Sequence, residues 1–287
     1  MNEDIRDIKQ IIDPVYVIEG AGVRLRRSIA TRTLDYLDPF LLFDHFGSDN
    51  PEDYLAGFPM HPHRGIETVT YMLAGKVRHE DSLGNAGVIE RGDVQWMTSG
   101  RGILHEEMPR PYEGKMEGFQ LWVNLPARLK MSPPRYQEIR SPEIPEIQDD
   151  RGAVVRLVAG EYAGQRGPVT EIAIQPTYLD VHLPPGAHWQ IPTPAGHTAF
   201  AYLYAGTVRF GKPDSEPVEA THLVVFGDGE RITAQTYKDE AHFLVVMGAP
   251  LGEPIARYGP FVMNTREEIE QTLRDLRSGT FIQPDAG

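Results

Sequence analysis

The chain has 287 residues, 40% of them hydrophobic and 24% charged, which suits two hydrophobic cores and excludes the disordered and fibrous classes. A net charge of −13 opposes a phosphate polyanion and argues against direct binding of DNA or RNA. Cysteine is absent, so disulfides, thiolate nucleophiles and cysteine-based zinc sites are excluded, and no run approaches the roughly 20 apolar residues of a membrane span.

The opening MNEDIRDIKQIID is charged and has no apolar stretch of the kind a secretory signal needs, so a soluble cytoplasmic setting is expected. Next, VRLRRS (23–28) reads as the edge of a strand. Runs rich in Val, Ile, Tyr and Phe then alternate with turn residues, the pattern of an all-β protein, and 28 glycines and 24 prolines serve those turns.

FPMHPHRGIETVTYMLAG (58–75) is the first chemically informative stretch. Side chains alternate along a strand, so His61 and His63 share a face and Pro62 takes the other. Glu67 has the same parity and faces the same way if no bulge intervenes. The second stretch, RGDVQWMTSGRGILHEEMP (91–109), sets His105 and Glu107 on one face and Glu106 on the other. If these strands face each other, three neutral imidazoles and a carboxylate converge, a donor set that suits Fe(II), Mn(II), Co(II), Ni(II) or Zn(II). The same spacing also fits polar strand residues that face water. Phe58, Met60, Trp96 and Met97 read as packing or as the wall of an apolar cavity. Arg64 and Arg101 read as anion holders or salt-bridge partners, and His79 as a surface or structural residue. HEEMP lacks the second histidine of a zinc-protease motif.

PARLKMSPPRYQEIRSPEIPEIQDD (126–150), rich in proline and charge, reads as a linker. Beyond it, YLYAGTVR (202–209) repeats YMLAGKVR (71–78) at an offset of 131, and Phe226–Asp228 echoes Arg91–Asp93 at 135, which suggests a duplicated domain. These offsets carry His61 and His63 to Pro192 and Pro194, Glu67 to Thr198, His105 to Glu240 and Glu107 to His242, too few donors for a second site. One helix is predicted near the end, at about 265–278. Thr265 and Glu268 form a capping box, Ile269, Leu273 and Leu276 an apolar face, and Gly279 lies past the last turn.

Taken together, HPHRGIETVTYMLAG and GDVQWMTSGRGILHEEMP resemble the signature of the pirin family of bicupins. The resemblance extends to FLLFDHFG (40–47), HEDS (79–82), FQLWVNLP (119–126) and GPFVMNT (259–265). It implies two stacked cupin barrels of the jelly-roll type with a short C-terminal helix. The expected divisions are a metal-binding barrel over 1–130, a linker over 131–150 and a metal-free barrel over 151–287. It implies one metal ion, iron before Mn, Co, Ni or Zn, held by His61, His63, His105 and Glu107, with Glu67 outside the ligand set as the rival carboxylate. It also implies quercetin 2,3-dioxygenase activity, in which a flavonol and O2 react, Glu107 takes a proton and carbon monoxide leaves. The alternative it carries is a non-enzymatic metal-binding regulator that acts through protein–protein contacts, and a monomer is expected under either reading.

Overall fold

The computed structural model describes residues 4–111 and 114–283, so the outermost residues of the expected divisions lie outside the described residues. Among the described residues the chain is all-β but for one α-helix and three single-turn 3-10 helices, and it divides into two units, Val15–Ser141 with Leu251–Gly287, and Met1–Pro14 with Pro142–Pro250.

The unit that carries His61 and His105 is built from two antiparallel sheets. The larger runs, in spatial order, Arg135–Ile139, Val94–Thr98, Ile66–Ala74, Met116–Asn124, Phe40–Ser48, Val23–Ile29 and Val15–Glu19. The smaller runs Phe58–His63, Ile103–Pro109, Val77–Asp81 and Ala86–Ile89. Sequence pattern decides where each strand sits. Val23 and Leu25 are buried and Arg24 is exposed, the alternation of a strand with one wet face. Val94–Thr98 is buried at every position, as is Ile66–Met72, and neither alternates because both faces are covered.

The other unit repeats this arrangement. Its main path runs Ile8–Ile12, His222–Phe226, Thr198–Phe210, Ala241–Gly248, Thr177–Leu183, Val154–Ala159 and Glu146–Gln148. Beside it, His188–Pro192 pairs with Arg231–Gln235, which pairs with the far end of Thr198–Phe210. Its interior is apolar, with Phe243 packed edge-on against both Trp189 (5.7 Å) and Phe210 (5.1 Å).

The divisions expected from the sequence need three corrections. The N-terminal strand Ile8–Ile12 pairs with His222–Phe226 and belongs to the second unit, where Arg6 donates to Thr193 Oγ1 and to the His197 carbonyl. The predicted helix is present as Arg266–Ser278, with its capping box and with Gly279 at φ 73, but it belongs to the first unit. The expected linker is largely structured. Arg135–Ile139 is the edge strand beside Val94–Thr98, and Glu146–Gln148 pairs with Val154–Ala159. Proline before an edge strand breaks no ladder, so Pro133 and Pro134 do not mark a disordered link.

The helix is tied to the ligand strand by Arg64. This guanidinium is 1% exposed and donates to the Arg101 carbonyl, Thr272 Oγ1, Asp275 Oδ2 (2.7 Å) and the Phe281 carbonyl. It also stacks 4.5 Å from the Phe281 ring centre. Arg64 is therefore a fastener of the C-terminal segment, not an anion holder. Lys130, equally buried, donates to the carbonyls of Gly65 and Val262 and to Asn124 Oδ1, and burial pushes its ammonium down to about 8.

Candidate metal centre

His61 and His63 lie on Phe58–His63 and His105 on Ile103–Pro109, which pair antiparallel with His105 opposite His61. The three rings converge. Their centroids are 4.4 Å (His61–His105), 4.9 Å (His61–His63) and 5.1 Å (His63–His105) apart, and one donor nitrogen from each lies within 4.8 Å of the others. His61 Nδ1 is 2.9 Å from the Pro59 carbonyl, which can only accept, so Nδ1 carries the proton and Nε2 turns a lone pair inward. That Nε2 is 3.1 Å from His63 Nε2.

The electrostatics fit a cation. Burial pushes the His63 imidazole down to about 3, with His61 adding repulsion, and holds His105 well below the ordinary histidine range. Both rings are neutral at pH 7, the form that ligates. His105 is 1% exposed, and among the described residues neither of its ring nitrogens has a hydrogen-bond partner. Orphaned buried polar atoms cost about 1–3 kcal/mol each. A divalent ion among these three nitrogens removes that cost, so the residues present fit one.

The carboxylates behave differently from the histidines. Glu107 is buried on the wall of the same cavity, but the ladder slips between His105 and Glu107, so that Glu107 pairs with Phe58. Across that bulge, Thr70 Oγ1 lies 2.9 Å from Glu107 Oε1 and 2.8 Å from the Gln120 side-chain amide. The single hydroxyl proton goes to the carboxylate, and the amide turns to donate. The close donor group at this cavity is the three histidines, without Glu107. Glu67 lies on the other face of its strand and accepts from Trp96 Nε1 (3.0 Å) and Thr98 Oγ1 (2.8 Å). The parity that joined it to His61 and His63 is broken at Gly65, whose φ is +81 and where a Cβ would stand 2.0 Å from the Val262 carbonyl oxygen.

A cavity of about 510 Å³ opens onto the histidines. Leu42, Phe46, Phe58 and Trp122 give it apolar walls, and Trp122 meets the His63 ring edge-on at 5.1 Å. Phe58 thus lines the cavity, whereas Met60 is exposed and Trp96 and Met97 are core. Sequence reasoning missed Thr70, Gln120 and the Arg27–Asp44 pair, bidentate at 2.8 and 2.7 Å, all of which line it. Burial raises the Asp44 carboxyl to about 6 against the pull of Arg27. The signal was registry, since Gln120 stands opposite both Thr70 and Asp44 in neighbouring strands. It also missed Arg257, far along the chain, which reaches the cavity 5.2 Å from the Trp122 ring. His79 is buried, with Nε2 2.6 Å from Glu138 Oε1, and is not a surface residue.

The equivalent strand pair of the second unit turns Trp189, Ile191, Ile232 and Ala234 into an apolar core. The expected counterparts Glu240 and His242 lie elsewhere, at the start of Ala241–Gly248. The offset of 135 rested on a chance match: Gly92-Asp93 precedes its strand, whereas Gly227-Asp228 follows His222–Phe226.

Two family models match the chain, pirin over residues 22–123 and the pirin C-terminal cupin domain over 178–282. A Pseudomonas aeruginosa protein named "putative quercetin 2,3-dioxygenase" is 46% identical over 279 residues, 96% of this chain and 97% of that protein. The chain belongs to the pirin family. Human pirin is 47% identical over 265 residues, covering 91% of this chain and 88% of its own. The crystal structure of quercetin 2,3-dioxygenase from Acinetobacter baumannii matches this pirin with a TM-score of 0.88 at 36% identity, covering 96% of this chain and 98% of that one. The bicupin fold implies a divalent metal, and His61, His63 and His105 are a group whose donor atoms lie close enough together to hold one.

Replacing His63 or His105 with Ala should abolish stoichiometric metal binding, whereas Glu67→Gln should leave metal content unchanged and lower stability by about 1–3 kcal/mol. Elemental analysis with urea unfolding checks both, and metal lost with Glu67 but kept without His105 would reverse the assignment. The metal-free protein should also lose stability as pH falls. Unfolded His63 takes up a proton near 6.5 and folded His63 only near about 3, so between those values the unfolded state binds more protons. Melting temperatures of the metal-free chain between about pH 7.5 and 5 should therefore drop, and a flat profile would contradict the depressed histidines.

Proposed function

We propose that this pirin is a dioxygenase that opens the central ring of quercetin-like flavonols with O2. It does so with a divalent ion, iron before the others, held by His61, His63 and His105, with Glu107, which stands on the cavity wall outside that close donor group, proposed as the fourth ligand. The observation that carries the reading is the meeting of buried neutral imidazoles with an apolar cavity of about 510 Å³, a volume in the range of small-molecule sites. The Acinetobacter and Pseudomonas relatives suggest the reaction class.

The chemistry such an ion supplies is Lewis-acid polarisation of the flavonol's adjacent hydroxyl and carbonyl oxygens. The chain does the rest. Glu107, on the wall beside the histidines, accepts the proton of the 3-hydroxyl, and Thr70 holds its carboxylate in place at 2.9 Å. Trp122 and Phe58 offer apolar surface to a flat three-ring substrate. Arg257 adds a positive charge to the cavity wall beside Trp122. In the overall reaction both atoms of O2 enter the product ester and one ring carbon leaves as carbon monoxide.

Iron-loaded protein in air should bleach quercetin and release one carbon monoxide per flavonol consumed. His105→Ala should abolish both, and Glu107→Gln should slow turnover by roughly 10²–10⁴-fold, the range of a lost general base. Bleaching that continues unchanged in His105→Ala would assign it to free metal and end the dioxygenase reading. No turnover by fully loaded wild-type protein would favour the regulatory role instead.

A further inference from the structure

The second unit carries a cluster that its cupin interior does not explain. His182 lies on Thr177–Leu183 and His242 on Ala241–Gly248, directly opposite each other in the antiparallel ladder. Their neighbours Val181, Leu183, Ala241 and Phe243 fill the core, so by alternation both histidines point outward. Directly opposed residues have Cβ atoms about 4.5–5.5 Å apart, close enough for two side chains to act on one ligand. The two rings stack almost in parallel, 4.3 Å between centroids at 5°. Glu240 sits across them, its Oε2 2.9 Å from His182 Nε2 and its Oε1 3.7 Å from His242 Nε2. One donor atom from each of the three lies within 4.8 Å of the others.

We infer that His182, Glu240 and His242 form a second divalent-metal site, on the outer face of the C-terminal barrel and separate from the centre beneath the cavity. A hydrogen-bonded His182–Glu240 pair accounts for one ring. It does not account for a second imidazole stacked on the first with its Nε2 facing the same carboxylate. Two imidazoles and one carboxylate suit borderline ions such as Zn(II), Co(II), Ni(II) and Cu(II), and water completes the shell. Access is open, because the three side chains are 38%, 60% and 32% exposed in the order His182, Glu240, His242. The overall charge of −13 favours cation capture.

The test is zinc titration of metal-stripped protein by calorimetry. Wild type should bind two equivalents of Zn(II), falling to one in His182→Ala or His242→Ala, and Glu240→Gln should weaken that second equivalent. In a His61→Ala/His105→Ala background one equivalent should remain and vanish when His242→Ala is added. Should that background fail to fold, the loss of one equivalent in His242→Ala alone decides the matter, since both surface histidines can be removed without opening the core. A single equivalent in wild type, or a second that survives loss of both surface histidines, overturns the site.

Discussion

Three imidazoles that converge inside a protein, two of them held neutral by burial and one, His105, with no protein partner among the described residues for either ring nitrogen, are the constraint around which the N-terminal barrel is arranged. Burial drives His63 down to about 3 and holds His105 well below the ordinary histidine range, which keeps their lone pairs available in neutral solution. Left alone, such nitrogens are a liability in a core, because they have given up water and received nothing in return. Only a cation at their common focus turns that loss into binding free energy. A metal centre of this kind is therefore coupled to the stability of the barrel that holds it.

Much of the surrounding architecture serves to keep the rings in place. The Pro59 carbonyl selects the tautomer of His61. Gly65 allows the chain to turn between the His63 strand and the next, and Lys130 ties the Gly65 carbonyl to Val262 in the C-terminal segment. Arg64, adjacent to His63, reaches Asp275 and Phe281 in the same segment. Residues more than 200 positions away in sequence thus set the orientation of the ligand strand. This explains why the last helix belongs with the first barrel.

The metal-binding strands, the all-β class, the helix and its caps were legible in the sequence, because alternation and capping are local rules. The paired histidines obeyed strict parity within a single strand, so His61 and His63 fell on one side as expected. Glu67 did not follow, because a glycine in the left-handed region reset the alternation between it and His63. Glu107 was displaced by a bulge at Pro59 and Met60, which together oppose Glu106, a feature of the strand pair that neither strand reveals alone. The exchange of terminal segments between the units and the place of Arg257 at the cavity depend on contacts across most of the chain, and no local pattern encodes them. The repeat at an offset of 131 matched truly related strands, whereas the Gly-Asp match at 135 joined positions on opposite ends of theirs.

The convergence of the three histidines on one ion is tested most directly by anomalous diffraction at the metal edge from crystals of the iron-loaded protein. The account predicts a peak at the head of the cavity, about 2.0–2.2 Å from a nitrogen of each of His61, His63 and His105. A peak bonded instead to Glu67, or none within reach of His105, would contradict it.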